Sequence, residues 1–226
     1  MKRSFINQRI AHARQFFAQH HFRLPPFAAW TPGQWQQAGP EADEIRRCLL
    51  GWDLTDFGSG DFFKEGLLLF TLRNGRLHDP AYPKPYGEKI MIVCEGQVTP
   101  FHFHFDKTED IINRGAGRLV CLLHNATPDQ KLADTPVEVR CDGVLRRLPA
   151  GSQVILEPGQ SITLTPYLYH TFFAQPGAGV ALVGEVSSVN NDATDNRFLD
   201  RQPRFPTIEE DEPAQTLLCN EYPPAA

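Results

Sequence analysis

The chain has 226 residues, 41% of them hydrophobic and 22% charged, the balance of one globular domain long enough to bury a full core. Its formal charge is −5 and it carries no long basic run, which argues against nucleic acid or an anionic membrane as the main partner. The opening MKRSFINQRIAHAR has no apolar stretch behind its basic residues, so no signal peptide is expected, and no window nears the roughly 18 apolar residues of a membrane helix.

The first 50 residues read as a helical segment packed on whatever follows. Phe5, Ile6, Ile10, Ala13, Phe16 and Phe17 recur at helical spacing with Gln, Arg and His between them. The segment LPPF (Leu24 to Phe27) ends that run. Thr31-Pro32-Gly33-Gln34 then offers a cap, a proline at the first helical position and a glutamine three residues after the cap, so a second helix is expected to run to about Leu49.

From Gly51 the texture changes to short apolar runs between turn signals: GLLLFTLRNG, KIMIVCEGQ, FHFHF, GRLVCLLHN, VEVRCDG, SQVILEPGQ, SITLTP, HTFFAQPG and GVALVGEVSSVNN. Asn74-Gly75, Glu95-Gly96, Asp142-Gly143 and Pro158-Gly159 read as corners. Such runs with no helix between them point to a β-sandwich or barrel over residues 51–226, closed by a Pro-rich, acidic tail from Phe198 that wraps the surface. Sixteen phenylalanines suit an aromatic-rich β core. Five scattered cysteines, none in CxxC and two inside apolar runs, read as buried free thiols in a reducing cytoplasm.

The run FHFHFDKTEDIINRG, Phe101 to Gly115, carries the chemistry. Residues i and i+2 of a strand share a face, so His102 and His104 project together, about 7 Å apart at their backbones. Imidazole is the commonest neutral ligand for borderline divalent metals. Phe101, Phe103 and Phe105 occupy the other face and need covering, by helices, a second sheet or a second copy of the chain, and a homodimer is expected on that ground. Glu109 lies an odd step from His104, so the polar DKTED must turn the chain if the carboxylate is to join the histidines. His170 in TPYLYHTFFA is a further ligand candidate, with Tyr167 and Tyr169 beside it as candidates for a polar cavity wall. An HxH pair by itself is as readily two exposed or satisfied histidines; the carboxylate and the third histidine favour a metal.

The spacing Gly96-x5-His102-x-His104-x4-Glu109 resembles the first cupin motif, and His170 after Pro166 stands where the second places its ligand. Ala116 separates Gly115 from Gly117 where the first motif has its late glycine, and the second motif lacks its usual Gly and Asn. The resemblance narrows to the cupin-type D-lyxose isomerases through HFH with Lys107 three residues on, EDIINRG, the opening MKRS, LPPFAxWTP, KPYGEKIMI, LTPYLYH, EVSSVNNDxTDN and RFPxIEEDE, and covers nearly the whole chain. It implies an all-β cupin jelly-roll with an N-terminal helical extension. It implies Mn²⁺ held by His102, His104, Glu109 and His170, and interconversion of D-lyxose with D-xylulose, often with D-mannose and D-fructose as a second pair.

Aldose–ketose isomerisation moves one proton between C2 and C1 and another between O1 and O2, although a hydride shift reaches the same product. Co²⁺, Zn²⁺, Fe²⁺ or Ni²⁺ would suit the same ligands as Mn²⁺. Lys107 and Glu109 are the expected catalytic pair. Of Glu88 and Lys89 only one can face inward by alternation, and the resemblance favours Lys89. Glu185, Asp192 and Asp195, in a polar stretch after an apolar strand, suit a barrel mouth that binds sugar hydroxyls. Arg204 and Glu209 to Glu212 read as tail surface or subunit contacts, and His12, His20, His21, His78 and His124 as surface or loop residues. Two rivals use the same scaffold. A metal-dependent dioxygenase would want Fe²⁺ and a more apolar pocket. A non-catalytic sugar-binding cupin would not need four intact ligands.

Overall fold

The computed structural model describes residues 1–192, 194–200 and 203–225. Helix α1 (Arg3–Gln19) buries Ile6, Ile10, Ala13 and Phe17. A single 3₁₀ turn at Pro26–Ala29 follows. Helix α2 (Pro32–Gln37) starts at a capping box between Thr31 and Gln34. It does not reach Leu49. Proline offers no N–H and disfavours the helical region for the residue before it, and Gly39, just before Pro40, is extended at φ −83°, ψ −163°. The segment resumes as a 3₁₀ turn and then α3 (Asp43–Arg47). Arg46 donates to the carbonyls of Ala38 at 2.7 Å and Gly39 at 2.9 Å, closing the break.

Strands follow in the order β1 (Gly51–Thr55), β2 (Leu67–Arg73), β3 (Tyr86–Val93), β4 (His102–His104), β5 (Glu109–Ala116), β6 (Leu119–Asn125), β7 (Val137–Cys141), β8 (Val144–Leu148), β9 (Ser152–Leu156), β10 (Ser161–Leu164), β11 (Leu168–Ala174), β12 (Ala181–Ser188) and β13 (Asn196–Phe198). They form a large sheet in the order β1-β2-β3-β12-β5-β10-β7-β8 and a smaller one in the order β13-β4-β11-β6-β9. The named strand pairs are antiparallel. The all-β expectation holds. Asp142 and Gly143, both at positive φ, make the tight β7–β8 hairpin. Asn74-Gly75 is no such corner: β2 stops at Arg73, and the Asn74 side chain is buried in polar contacts of its own.

The two sheets close over one core that includes Leu69, Met91, Val93, Ile111, Cys121, Leu123, Phe172 and Val183. The outer face of the large sheet, through Leu68, Phe70, Ile90, Ile92 and Leu182, packs under Ile6, Ile10 and Phe17 of α1 together with Trp52. Strands β2 and β3 are therefore covered on both faces, which is why LLLF and IMIV read as unbroken apolar runs rather than alternating ones. Each such fully buried side chain contributes about 1.5–3 kcal/mol of transfer free energy. All five cysteines are free, four of them buried.

Of the three phenylalanines of FHFHF, one is covered from within the chain. Phe103 is wholly buried, packed edge-on to Tyr169 and Phe105 and beside Tyr167. Phe101 and Phe105 on either side of it are half-buried, and Tyr167 beside them is exposed. Glu210, Asp211 and Glu212, expected as tail surface or subunit contacts, are exposed and also bind α1 of their own chain. Arg3 pairs with Glu210 at 2.7 Å and with Glu221, Ser4 donates to Asp211 at 2.6 Å, and Asn7 donates to Glu212 at 2.6 Å. Among the described residues no helix is long and apolar enough to cross a membrane.

Candidate active site

The site forms where the inner faces of the two sheets meet at one end of the barrel. Strand β4 lies beside β11 with His102 directly opposite His170, so three imidazoles share one wall. A ligand nitrogen from each of His102, His104 and His170 lies within 4.8 Å of the others. The chain leaves β4 at His104 and re-enters a strand at Glu109, now in the other sheet. The intervening turn cancels the odd spacing and points the Glu109 carboxylate at the histidines. Its Oε1 lies 3.0 Å from His170 Nε2, and its Oε2 lies 3.6 Å from His104 Nε2.

The protonation pattern favours a cation at this point. Nδ1 of His102 lies 2.8 Å from the Pro100 carbonyl, and Nδ1 of His170 lies 3.0 Å from the Leu168 carbonyl. A carbonyl only accepts, so each Nδ1 carries a proton, which leaves Nε2 as the nitrogen that can serve as a metal ligand. Nε2 of His104 and Nε2 of His170 are buried without a hydrogen bond, and the polar group beside them is the Glu109 carboxylate, an acceptor when ionised, so a cation between them would relieve a costly arrangement. Burial, aided by the neighbouring histidines, pushes the pKa of His102 well below its usual value, and burial lowers that of His104 although Glu109 opposes it. Neutral imidazoles beside a carboxylate are a donor set for a borderline divalent metal.

Two lysines enter from the opposite side. Lys107, on the turn, is 3% exposed, with Nζ 2.6 Å from Glu109 Oε2 and 3.0 Å from Glu185 Oε1. Burial alone would strip its proton, but Glu109 and Glu185 outweigh that and hold its pKa above the usual lysine value. The same contacts act in reverse on the acids. Burial opposes ionisation of Glu109, yet Lys107 and His104 bring it well below the carboxylate range; burial opposes ionisation of Glu185, yet Lys107 and Lys89 lower it. Lys89 faces inward on β3, opposite Glu185 of β12 in register, with Nζ 3.0 Å from Glu185 Oε1. Glu88 faces the other way and pairs with Arg73.

These groups surround a cavity of about 50 Å³ whose walls include His102, His104, Lys107, Glu109, Lys89, Glu185 and Asp192. Phe57 and Phe198 supply an aromatic edge to the same cavity, their rings 5.8 Å apart. Leu67, Leu69, Met91, Ile111 and Phe172 join the lining, so charged and apolar groups share the walls.

Three residues sit elsewhere than the sequence reading put them. Asp195 does not line the cavity; its carboxylate accepts the backbone N–H of Asp106 at 2.8 Å and of Lys107 at 3.2 Å. It clasps the turn that carries Lys107, with Oδ2 3.8 Å behind His104 Nδ1. Tyr167 and Tyr169 lie on the outer face, where Tyr169 donates to the Gln130 carbonyl at 2.7 Å. Tyr169 is an odd step from His170 in β11, so alternation turns it away from the histidine wall, whereas Tyr167 precedes the strand at positive φ.

Other participants were missed by sequence reading. Arg204, expected on the tail surface, lines the cavity and pairs with Asp53 and, at 3.1 Å, with Asp192. Burial opposes the ionisation of Asp192, but Arg204 holds it below the usual aspartate range. Asn190 accepts from Lys89 at 2.8 Å and Lys107 at 3.3 Å. Only Asn190 lay in a stretch whose polarity marked it; Asp53 sits in a buried strand and Arg204 in a tail without periodicity.

A family model described as D-lyxose isomerase matches residues 1–222. The chain is 54% identical over 223 residues to the D-lyxose/D-mannose isomerase of Escherichia coli O157:H7 and 52% identical over 223 residues to that of Serratia proteamaculans, in each case covering 98% of both chains. Among solved structures, it is similar to an L-ribose isomerase of Acinetobacter sp. DL28 in complex with L-ribose, with a TM-score of 0.58 at 16% identity, covering 92% of this chain and 98% of that one. An L-ribose isomerase of Cellulomonas parahominis with L-ribose gives 0.54 at 18% identity, covering 88% and 95%. At such identities the solved structures speak for the cupin-like fold alone, whereas the match along almost the full length of the close relatives speaks for kind: the chain is a sugar isomerase and belongs to the D-lyxose isomerase family.

Proposed function

We propose that the chain interconverts D-lyxose with D-xylulose, and D-mannose with D-fructose, by metal-dependent proton transfer through an enediolate. The observation that supports this reading most directly is the cluster of the His102, His104 and His170 imidazoles with Glu109 and Lys107 at one buried cavity. His102, His104, His170 and Glu109 would hold the cation, with Mn²⁺ the expected metal and Co²⁺, Zn²⁺, Fe²⁺ or Ni²⁺ suited to the same donors. When bound, the cation supplies Lewis acidity toward the sugar's carbonyl and hydroxyl oxygens.

The chain's own groups supply the rest. Glu109, kept ionised by Lys107 and by His104, takes the proton from C2 of the aldose and returns it to C1. Lys107 donates a hydrogen bond to the oxygen on which negative charge develops, passes its proton to O1 and recovers one from the O2 hydroxyl. Lys89, Glu185 and Asp192 orient the hydroxyls by donating and accepting hydrogen bonds from the walls. Phe57 and Phe198 cover the sugar's apolar face and exclude water. The five free thiols favour a cytoplasmic setting.

The test is turnover of D-lyxose and D-mannose in D₂O by protein stripped of metal and reloaded with Mn²⁺. Ketose formation that depends on the metal, with deuterium at C1 of the ketose, is the expected outcome. Absence of ketose from either aldose sinks the reading; ketose without deuterium replaces proton transfer by a hydride shift.

A further inference from the structure

Asn190 stands just behind the catalytic cavity rather than in its wall; it lines a neighbouring cavity of about 350 Å³ together with Asn74 and Asp53. Its side-chain oxygen nevertheless meets both lysines, 2.8 Å from Lys89 Nζ and 3.3 Å from Lys107 Nζ. The same two ammonium groups share Glu185 Oε1, each at 3.0 Å. Ammonium groups only donate, so the atom facing them must be the amide oxygen, and the orientation of the amide is fixed.

The backbone of Asn190 is fixed in turn. Its N–H donates to Asn74 Oδ1 at 3.0 Å, and its carbonyl accepts from Asn74 Nδ2 at 2.9 Å. Asn74 is buried, and its Nδ2 also reaches the Cys48 carbonyl at 3.3 Å. One side chain therefore grips both backbone groups of another residue, 116 positions away, whose own side chain grips the two lysines.

The chemistry explains why an amide serves here. Two like charges beside one carboxylate repel each other, and each sits on a flexible four-carbon stem. A second shared acceptor defines where each ammonium rests. An amide oxygen does this without adding a negative charge to a pocket that already holds Glu109, Glu185 and Asp192.

We propose that Asn190 is a positioning residue that holds the ammonium groups of Lys89 and Lys107 in register against Glu185, and that Asn74 acts on the reaction only through Asn190. The inference rests on the isomerase reading above. Misplacement of reacting groups by about 1 Å costs on the order of 100-fold in rate, so Asn190→Ala lowers kcat by about 10- to 100-fold with little change in the KM for D-lyxose.

The experiment is a double-mutant cycle on the Mn²⁺-loaded enzyme with Asn74→Ala, Asn190→Ala and the pair, recording kcat, KM, metal content and melting temperature. Asn190→Ser substitutes for Asn190→Ala if the latter does not fold. The expected result is a kcat loss in each single variant and no further loss when Asn74→Ala is added to the Asn190 variant, with metal content unchanged throughout. Unchanged kcat in the Asn190 variant, or kcat losses that multiply in the pair, overturns the proposal. An inactive wild-type control refutes the isomerase reading instead, so the two failures are distinguishable.

Discussion

Glu109 Oε1 sits 3.0 Å from His170 Nε2, a carboxylate from the large sheet against an imidazole from the small one. The contact closes the barrel mouth chemically as well as sterically, because neither sheet alone holds the full donor set. His104→Ala is expected to keep the fold and lose the metal. Metal content by mass spectrometry falls below one equivalent, and turnover falls by at least about 100-fold, since loss of even an outer partner of a metal ligand costs 10–100-fold. Full turnover with full metal content would remove His104 from the ligand set.

Lys107→Met tests stability and chemistry together. It leaves Glu109 and Glu185 buried without their shared cation, at a cost of about 3–5 kcal/mol by analogy with broken buried ion pairs. Loss of a proton-handling group lowers kcat by about 100- to 10,000-fold. A variant with wild-type kcat would leave Lys107 as a structural counter-ion.

Asp195→Ala distinguishes a turn clasp from a sugar contact. Removing the acceptor of the Asp106 and Lys107 backbone N–H groups loosens the turn, so kcat falls by about 10-fold or more while the KM for D-lyxose hardly moves. A rise in KM at constant kcat would return Asp195 to the substrate-binding set.

Asp192 makes acid stability predictable in sign. Its pKa in the folded chain lies below the ordinary 3.8, held there by Arg204 against burial. The unfolded chain therefore binds this proton first, so the stabilisation is complete above about pH 5 and is lost as pH falls below about 4. Urea midpoints measured between about pH 6 and pH 3 should fall less steeply in Asp192→Asn than in the wild type. Parallel curves would show that Asp192 contributes nothing to the acid limb.

Arg3→Met probes the strap formed by the tail. The side chain is 1% exposed and pairs with Glu210 and Glu221. Its loss frees residues 206–222 to local opening, and limited proteolysis should cut there before any cut in the barrel. Equal protection of the tail in both proteins would show that the remaining contacts of Ser4 and Asn7 suffice.

How much of this was legible in the sequence follows from which residues obey a period. FHFH announces its histidines because strand alternation puts them on one face, and the odd step to Glu109 forces a turn that DKTED can make. The choice of Lys89 over Glu88 needed the resemblance, since alternation separates them without saying which faces inward. The same alternation turns Tyr169 away from His170, whereas Tyr167 lies before the strand at positive φ and is outside its reach. The second helix is shorter than its capping signal suggests because Gly39-Pro40 stops it. Asn190, Asp53 and Arg204 were hidden for another reason: they meet through loops and a tail, where nothing periodic links positions more than 100 residues apart.

The cavity's dependence on the tail has a consequence for the order of folding. Arg204 reaches Asp53 across 151 positions, and Arg3 reaches Glu221 across 218. Contacts so distant in sequence must wait for the greatest loop closure, so they form late. During synthesis the barrel strands emerge before the residues that complete the pocket. A partly made chain can bring its histidines together, but it lacks the arginine that holds Asp192. Metal capture and catalytic competence should therefore arise at different times in the life of one molecule.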